Sequence, residues 1–317
     1  MCRRGSSIRR VFPNFSLLYM SVALLVLPDF LLIALGWALR HKLGFNREFF
    51  AGTERMVYFV LFPALLFQAI LRTPISAGSA LLLLQATAAV VAIGVALAWL
   101  GGRALRAQPL ALASAAQCGY RFNTYIGLAL AASLGGAHGQ TTMALIVGFA
   151  VPLANIAAVY GLARHGNHGL LRELLRNPLL MATLLGLAGN LAGLQLPGPV
   201  DTVLARLGSA SLALGILCVG ASLSWQGGQG HGRLIGWILT VKLLLLPLVA
   251  LAAARLLGLP AAESRMLLLF AALPTASAAY VLAMRMGGDG RMVAVLISLG
   301  TLLSVVTVPG WLTVAGG

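Results

Sequence analysis

Gly119-Tyr-Arg-Phe-Asn-Thr-Tyr125 sets Arg121 and Asn123 into an apolar stretch where a membrane helix should run uninterrupted. The pattern has an echo 152 residues later: Asn123-Thr-Tyr-Ile-Gly-Leu-Ala-Leu-Ala-Ala-Ser-Leu-Gly-Gly136 aligns without gaps on Thr275-Ala-Ser-Ala-Ala-Tyr-Val-Leu-Ala-Met-Arg-Met-Gly-Gly288. Pro274 stands directly before the second copy, and a proline breaks a helix by removing an amide donor and crowding the preceding turn. Interrupted hydrophobic segments at matching places in two halves are the sequence mark of a transporter's substrate site.

The rest of the chain supports a membrane setting. It is 60% hydrophobic and 9% charged, with a mean hydropathy of +0.94. That is far from the balance of a water-soluble domain, so the bilayer is the expected solvent. The net charge of +15 would suggest nucleic acid in a soluble protein. Here most Lys and Arg lie in short loops between apolar runs, with no basic stripe on a soluble face, so no nucleic-acid partner is expected. Cys2, Cys118 and Cys218 form no CxxC pair, which points to neither a disulfide framework nor a metal site.

A helix needs about 20 apolar residues to cross the hydrocarbon core. Ten such runs occur, near residues 22–39, 55–72, 80–100, 110–133, 141–161, 178–194, 204–223, 234–254, 264–285 and 292–314. The longest internal polar stretch, Arg164 to Asn177, separates five spans from five. An odd number of spans per half places the second half upside down relative to the first, so the internal similarity implies an inverted repeat. The expected fold is an all-α integral membrane protein of ten transmembrane helices. They form two inverted five-helix repeats, with helices 4 and 9 broken. The expected organisation is a basic tail over 1–19, a first repeat over 20–161, a cytoplasmic linker over 162–177 and a second repeat over 178–317. Loops after odd-numbered spans hold twelve Lys and Arg against four after even-numbered ones, which places the odd loops in the cytoplasm. The four arginines of the tail oppose that count, and Met20 directly before the first run is the expected natural start.

The two breaks carry the candidate chemistry. Asn123 suits the N-cap of a helix that restarts after it, and Thr275 offers the same service in the second half. Each new N-terminus would aim unpaired amides and a partial positive charge at mid-membrane, where an anion would be welcome. Arg121 costs about 2.5–3.5 kcal/mol at the centre of a span, so it calls for a partner. Asp29 and a substrate carboxylate both qualify. The substrate-binding candidates are Arg121, Asn123, Thr124, Pro274, Thr275 and Ser277. Asp29, behind Pro28 in span 1, is the candidate for ion coupling, since burial favours a proton on a carboxylate. Lys242 in span 8 either snorkels to the interface or lines the path. Trp37, Trp99, Trp225, Trp237 and Trp311 lie near span ends, as an interfacial belt would.

Several further stretches follow in order. They are Leu27-Pro-Asp-Phe-Leu-Leu-Ile-Ala-Leu-Gly36, Phe45, Arg55, Phe62-Pro-Ala-Leu-Leu-Phe67, Val151-Pro-Leu-Ala-Asn155, Arg176-Asn-Pro178 with Gly186, Leu273-Pro-Thr-Ala276 and Ser304-Val-Val-Thr-Val-Pro309. In this order and spacing the chain resembles the auxin efflux carrier family, secondary carriers within a larger bile-acid and auxin carrier group, over nearly its whole length from about Leu24. The resemblance implies crossing, broken helices 4 and 9 with substrate bound near the crossover, carried here onto Asn123 with its flanks and onto Pro274-Thr275. It also implies an organic anion such as auxin, malonate or malate as cargo. The chain departs from the family pattern at Asp29, where an apolar residue is expected, and at Glu54, where Asn is expected.

The leading expectation is a secondary transporter of a small carboxylate in the cytoplasmic membrane. Its two five-helix halves would rock about the crossover, with proton or sodium as coupling ion, no cofactor, and a homodimer as candidate assembly. A sodium-coupled symporter of the bile-acid type is the alternative within transport, although few intramembrane acids are present to surround a cation. A channel and an intramembrane enzyme are the readings from other classes. Seven acidic residues, none clustered, do not provide the paired carboxylates or metal-binding runs that an enzyme of the second kind needs.

Overall fold

The computed structural model describes residues 27–28, 30–72, 77–163, 178–223, 230–276 and 278–315. The 1–19 tail, the linker from 164 to 177, Asp29 and Ser277 lie outside the described residues. Among those residues every regular element is helical. In chain order they are α1 (Phe30–His41), α2 (Arg47–Met56), α3 (Phe62–Leu71), α4 (Ala77–Ala104), α5 (Pro109–Tyr120), α6 (Thr124–Ala163) and α7 (Pro178–Leu191). The remainder are α8 (Gly198–Ser222), α9 (Gly232–Thr240), α10 (Leu246–Leu256), α11 (Ala261–Ala272), α12 (Ala278–Arg285) and α13 (Gly290–Ala315). Among the described residues six stretches are long and apolar enough to cross a membrane. One of them, Pro109–Leu162, is divided at residues 121–123 and again at Gly136, whose φ of 56° and ψ of −147° no helix contains. The chain is an all-α membrane protein.

Large apolar side chains face outward around the molecule, among them Leu31, Phe59, Leu100, Leu185, Leu256 and Val306. In water such a surface would aggregate; against acyl chains it is matched.

Helix boundaries repeat with the spacing found in the sequence. The end of α4 recurs at the end of α10, both ends of α5 at those of α11, and the end of α6 at that of α13, each 152 residues on. Two of the six positive-φ glycines among the described residues fall one residue apart in that register, Gly136 and Gly287 with φ 71°.

Helices from the two halves of the sequence are interleaved. One bundle joins α3 to α7 and α8. It also takes in α1, where Gly36 and Gly220 let the α1 and α8 backbones meet so closely that a Cβ on either would collide with the opposite main chain. A second bundle packs α4 and α5 against α10, α11 and α13. Each bundle thus draws on both halves of the sequence.

Two π-helical turns, Val57–Leu61 and Val241–Leu245, each precede a proline at the second position of the next helix, Pro63 and Pro247. The wider turn is how these helices accommodate a ring that would clash with the preceding turn. Pro247 also leaves the Leu243 carbonyl without its helical donor. The Trp311 indole supplies one instead, Nε1–H donating to Leu243 O at 2.8 Å. The Trp237 indole likewise donates to Leu97 O at 3.0 Å. These two tryptophans tie helices together through their indole N–H groups.

Candidate functional site at the crossing of two broken helices

The first break is built from its own sequence. α5 ends at Tyr120, Arg121 takes an extended conformation as its C-cap, and α6 restarts after Asn123. Asn123 performs the expected capping: its Oδ1 accepts from the backbone amides of Tyr125 (3.1 Å) and Ile126 (3.2 Å).

The second break, Leu273-Pro274-Thr275 between α11 and α12, meets the first directly. The backbone amide of Asn123 donates to Pro274 O at 2.7 Å. The Thr275 hydroxyl donates to Cys118 O at 2.7 Å. Thr275 was expected to cap the restarted helix; its hydroxyl proton satisfies one of the carbonyls at the end of α5, which that helix cannot satisfy itself, and the hydroxyl oxygen can still accept. More of α5 is tied to the second half in the same way. Gln117 Nε2 donates to Ala279 O at 3.2 Å, and Ser114 Oγ accepts the Asp289 amide at 2.8 Å.

Arg121 is half-buried. Its Nη1 donates to Gln117 Oε1 at 3.1 Å and its Nη2 to Asn155 Oδ1 at 2.8 Å. Both acceptors are neutral amides. They orient the guanidinium without cancelling its charge, and a guanidinium has five N–H donors, so capacity remains. The Asp29 carboxylate considered as its partner lies outside the described residues.

Asn123 is 0% and Thr275 3% exposed, so both side chains sit in an enclosed region of the crossing, while Arg121 and Thr124 are partly exposed. Inside that closed region, Asn123 Nδ2 has no hydrogen-bond partner among the described residues. A buried amide donor left unmade costs about 1–3 kcal/mol, so this one is a standing demand for an acceptor.

The site lies on the seam between the bundles. Tyr125 packs edge-on against Phe62 of α3 (4.6 Å between centroids) and its ring fills the space beside Gly215 of α8. Glu54 of α2 is close enough to act on Tyr125 electrostatically. Phe122 packs on Phe270 of α11 at 4.5 Å. Thr124 opens α6 half-buried, and Pro274 is buried. A shallow recess lined by Gly52, Arg55, Met56, Phe59 and Val60 sits elsewhere, on α2 and the turn after it, and includes none of these residues.

Gln117 and Asn155 were not among the residues singled out in the sequence as binding candidates. Gln117 stands one helical turn before Arg121, which was the available signal. Asn155 had none that pointed to Arg121, since it reaches the guanidinium from 34 residues away along the chain. Lys242 was expected to snorkel or to line the path; it is 2% exposed and its Nζ donates to Ala271 O at 3.2 Å.

Comparison with known proteins points to membrane transport. The sequence profile described as membrane transport protein matches residues 162–312. A Rhizobium meliloti (strain 1021) protein named "Putative malonate transporter" is 26% identical over 300 residues, 91% of this chain and 94% of that protein. The chain is thus similar to membrane transport proteins, over its second half by the profile and over nearly its whole length by this relative.

Proposed function

We propose that the chain is a secondary active transporter that carries a small organic anion, a carboxylate of the malonate or malate type, across the cytoplasmic membrane by alternating access. The observation that carries the reading is the pairing at the first break of a guanidinium held by neutral amides with an unpartnered, buried Asn123 amide. A carboxylate offers two oxygens, enough to accept from both at once. The N-terminus of α6 adds the partial positive charge of its first amides. Thr124, Pro274, Thr275 and Ser277 complete the proposed binding set. The name of the Rhizobium meliloti relative supports a dicarboxylate as the first compound to try.

In this reading the fold is an inverted repeat of two five-helix units, over 20–161 and 178–317 and joined by the 162–177 segment, with broken helices 4 and 9 crossing. The 152-residue recurrence of helix boundaries supports it. The moving bodies are the two mixed bundles, one with α1, α2, α3, α7 and α8, the other with α4, α5, α9, α10, α11 and α13. Tyr125, packed against the first bundle beside a site held by the second, lies where such a motion would open the pocket. Asp29 is the candidate for proton coupling.

The test is solid-supported-membrane electrophysiology on proteoliposomes with malonate, malate, succinate, lactate and indole acetate, under proton and sodium gradients. Radiolabelled counterflow covers electroneutral exchange. Saturable transport of one acid is expected. Blank results in both assays across the panel would remove the carboxylate assignment.

A further inference from the structure

The two breaks have the same polarity problem. At each, one helix ends with outward carbonyls that carry a partial negative charge, equivalent to about half an elementary charge. In discontinuous transporter helices such ends coordinate a coupling cation, Na⁺ or H⁺. At the first break the chain places Arg121 itself at the end of α5. At the second, the corresponding stretch Leu273-Pro274-Thr275 holds no charge.

A charge reaches it from another helix. Lys242 lies in the π-helical turn between α9 and α10, which packs on α11 as well as on α4, α5 and α13. Its side chain is one of the largest fully buried in the molecule. The Nζ donates to Ala271 O, one residue before the end of α11. The cap amide of Leu273 turns back to Leu269 O and Phe270 O, so the Ala271 carbonyl is left for an outside donor. No ion pair joins Lys242 to an acid among the described residues. A lysine kept in the interior by a helix-end carbonyl alone is costly, and cost of that kind marks function within a membrane.

We propose that the Lys242 ammonium is the resident cation of the second break: it occupies, at the carbonyl end of α11, the place a coupling cation would take, and it makes transport by this chain independent of sodium. Lys242 is then a positioning residue. It neutralises the α11 terminus and holds Leu273-Pro274 where Pro274 O receives the Asn123 amide. Its effect on transport rests on the anion-carrier reading above; its effect on cation binding does not.

The experiment compares wild type, Lys242→Ala and Lys242→Met in proteoliposomes, by counterflow in sodium, choline or propylammonium, and in detergent, by thermal unfolding in the same salts. Wild type is expected to transport equally in sodium and choline. Lys242→Ala is expected to fall about tenfold or more in choline, the loss of one charge-assisted hydrogen bond, and to regain severalfold in sodium or propylammonium. In detergent those two cations are expected to raise the unfolding midpoint of Lys242→Ala and leave wild type unchanged. If Lys242→Ala does not fold, the near-isosteric Lys242→Met decides: lost transport at an unchanged midpoint supports the proposal. Sodium stimulation of wild type, wild-type rates in either variant, or a folded Lys242→Ala indifferent to both cations would overturn it. Should no protein transport any acid, the unfolding measurements still decide the cation site, and only the carrier reading fails.

Discussion

The two breaks occupy equivalent positions in the 152-residue register and solve the same problem with different residues. The first breaks its helix with polar side chains: Arg121 at the carbonyl end, Asn123 at the amide end, and Gln117 and Asn155 steering the guanidinium. The second breaks with a proline, takes its cation from Lys242 on a distant helix, and spends its one hydroxyl on Cys118 O. What recurs is backbone: helix ends, one left-handed glycine and the point of crossing. Chemistry is left to one side. Under the proposed inverted repeat, geometry is shared between the halves more readily than recognition, and substrate charge is expected to be read by the first break while the second supports it.

That asymmetry can be broken or sharpened by substitution. Arg121→Ala removes the proposed countercharge and should abolish anion transport, a loss of about a hundredfold or more if a hydrogen-bonded charge contributes roughly 3 kcal/mol, with the protein still folded by size-exclusion profile. Asn123→Ala removes both the cap and the unpartnered amide; a tenfold or larger rise in the half-saturating concentration is expected, with a stability cost of about 1 kcal/mol for the cap. Thr275→Val deletes the bond to Cys118 O, and its effect on transport should be several times smaller than that of Asn123→Ala, measured by the same uptake assay. If Thr275→Val proves the more damaging of the two, recognition is shared equally and the comparison collapses.

Away from the crossing the expected effects are on stability alone. Trp311→Phe leaves Leu243 O without the donor that replaced the one Pro247 lacks, at a cost of about 1–3 kcal/mol, visible as a lower unfolding midpoint with transport retained. Asp201→Asn weakens the ion pair with Arg72, which is well exposed, and keeps the side-chain oxygen that accepts from Gln68; a change within about 1 kcal/mol is expected.

The legible part of the molecule was the part written in short-range pattern. Arg121 and Asn123 in an apolar run announced the first break, and the gapless echo at Thr275 located the second. The cap at Asn123 followed from residue type, because capping is a contact within one turn. The Thr275 hydroxyl did not follow, since a threonine at a helix start and a threonine reaching a carbonyl 157 residues away have the same letters around them. Lys242 was unreadable for the same reason: whether a lysine snorkels or turns inward depends on which acceptor another helix presents. The interleaved bundles were hidden as well, because helix packing partners are set by surface fit, for which the Gly36 and Gly220 contact is the plainest case. The π-helical turns left only Pro63 and Pro247 as traces.

The most direct test of the central claim is counterflow of radiolabelled malonate into proteoliposomes containing wild type, Arg121→Ala or Arg121→Lys at matched incorporation. The account predicts saturable uptake by wild type, none by Arg121→Ala, and partial uptake by Arg121→Lys, which keeps the charge but not the planar fork that Gln117 and Asn155 hold. Saturable malonate uptake by Arg121→Ala at the wild-type rate would contradict it.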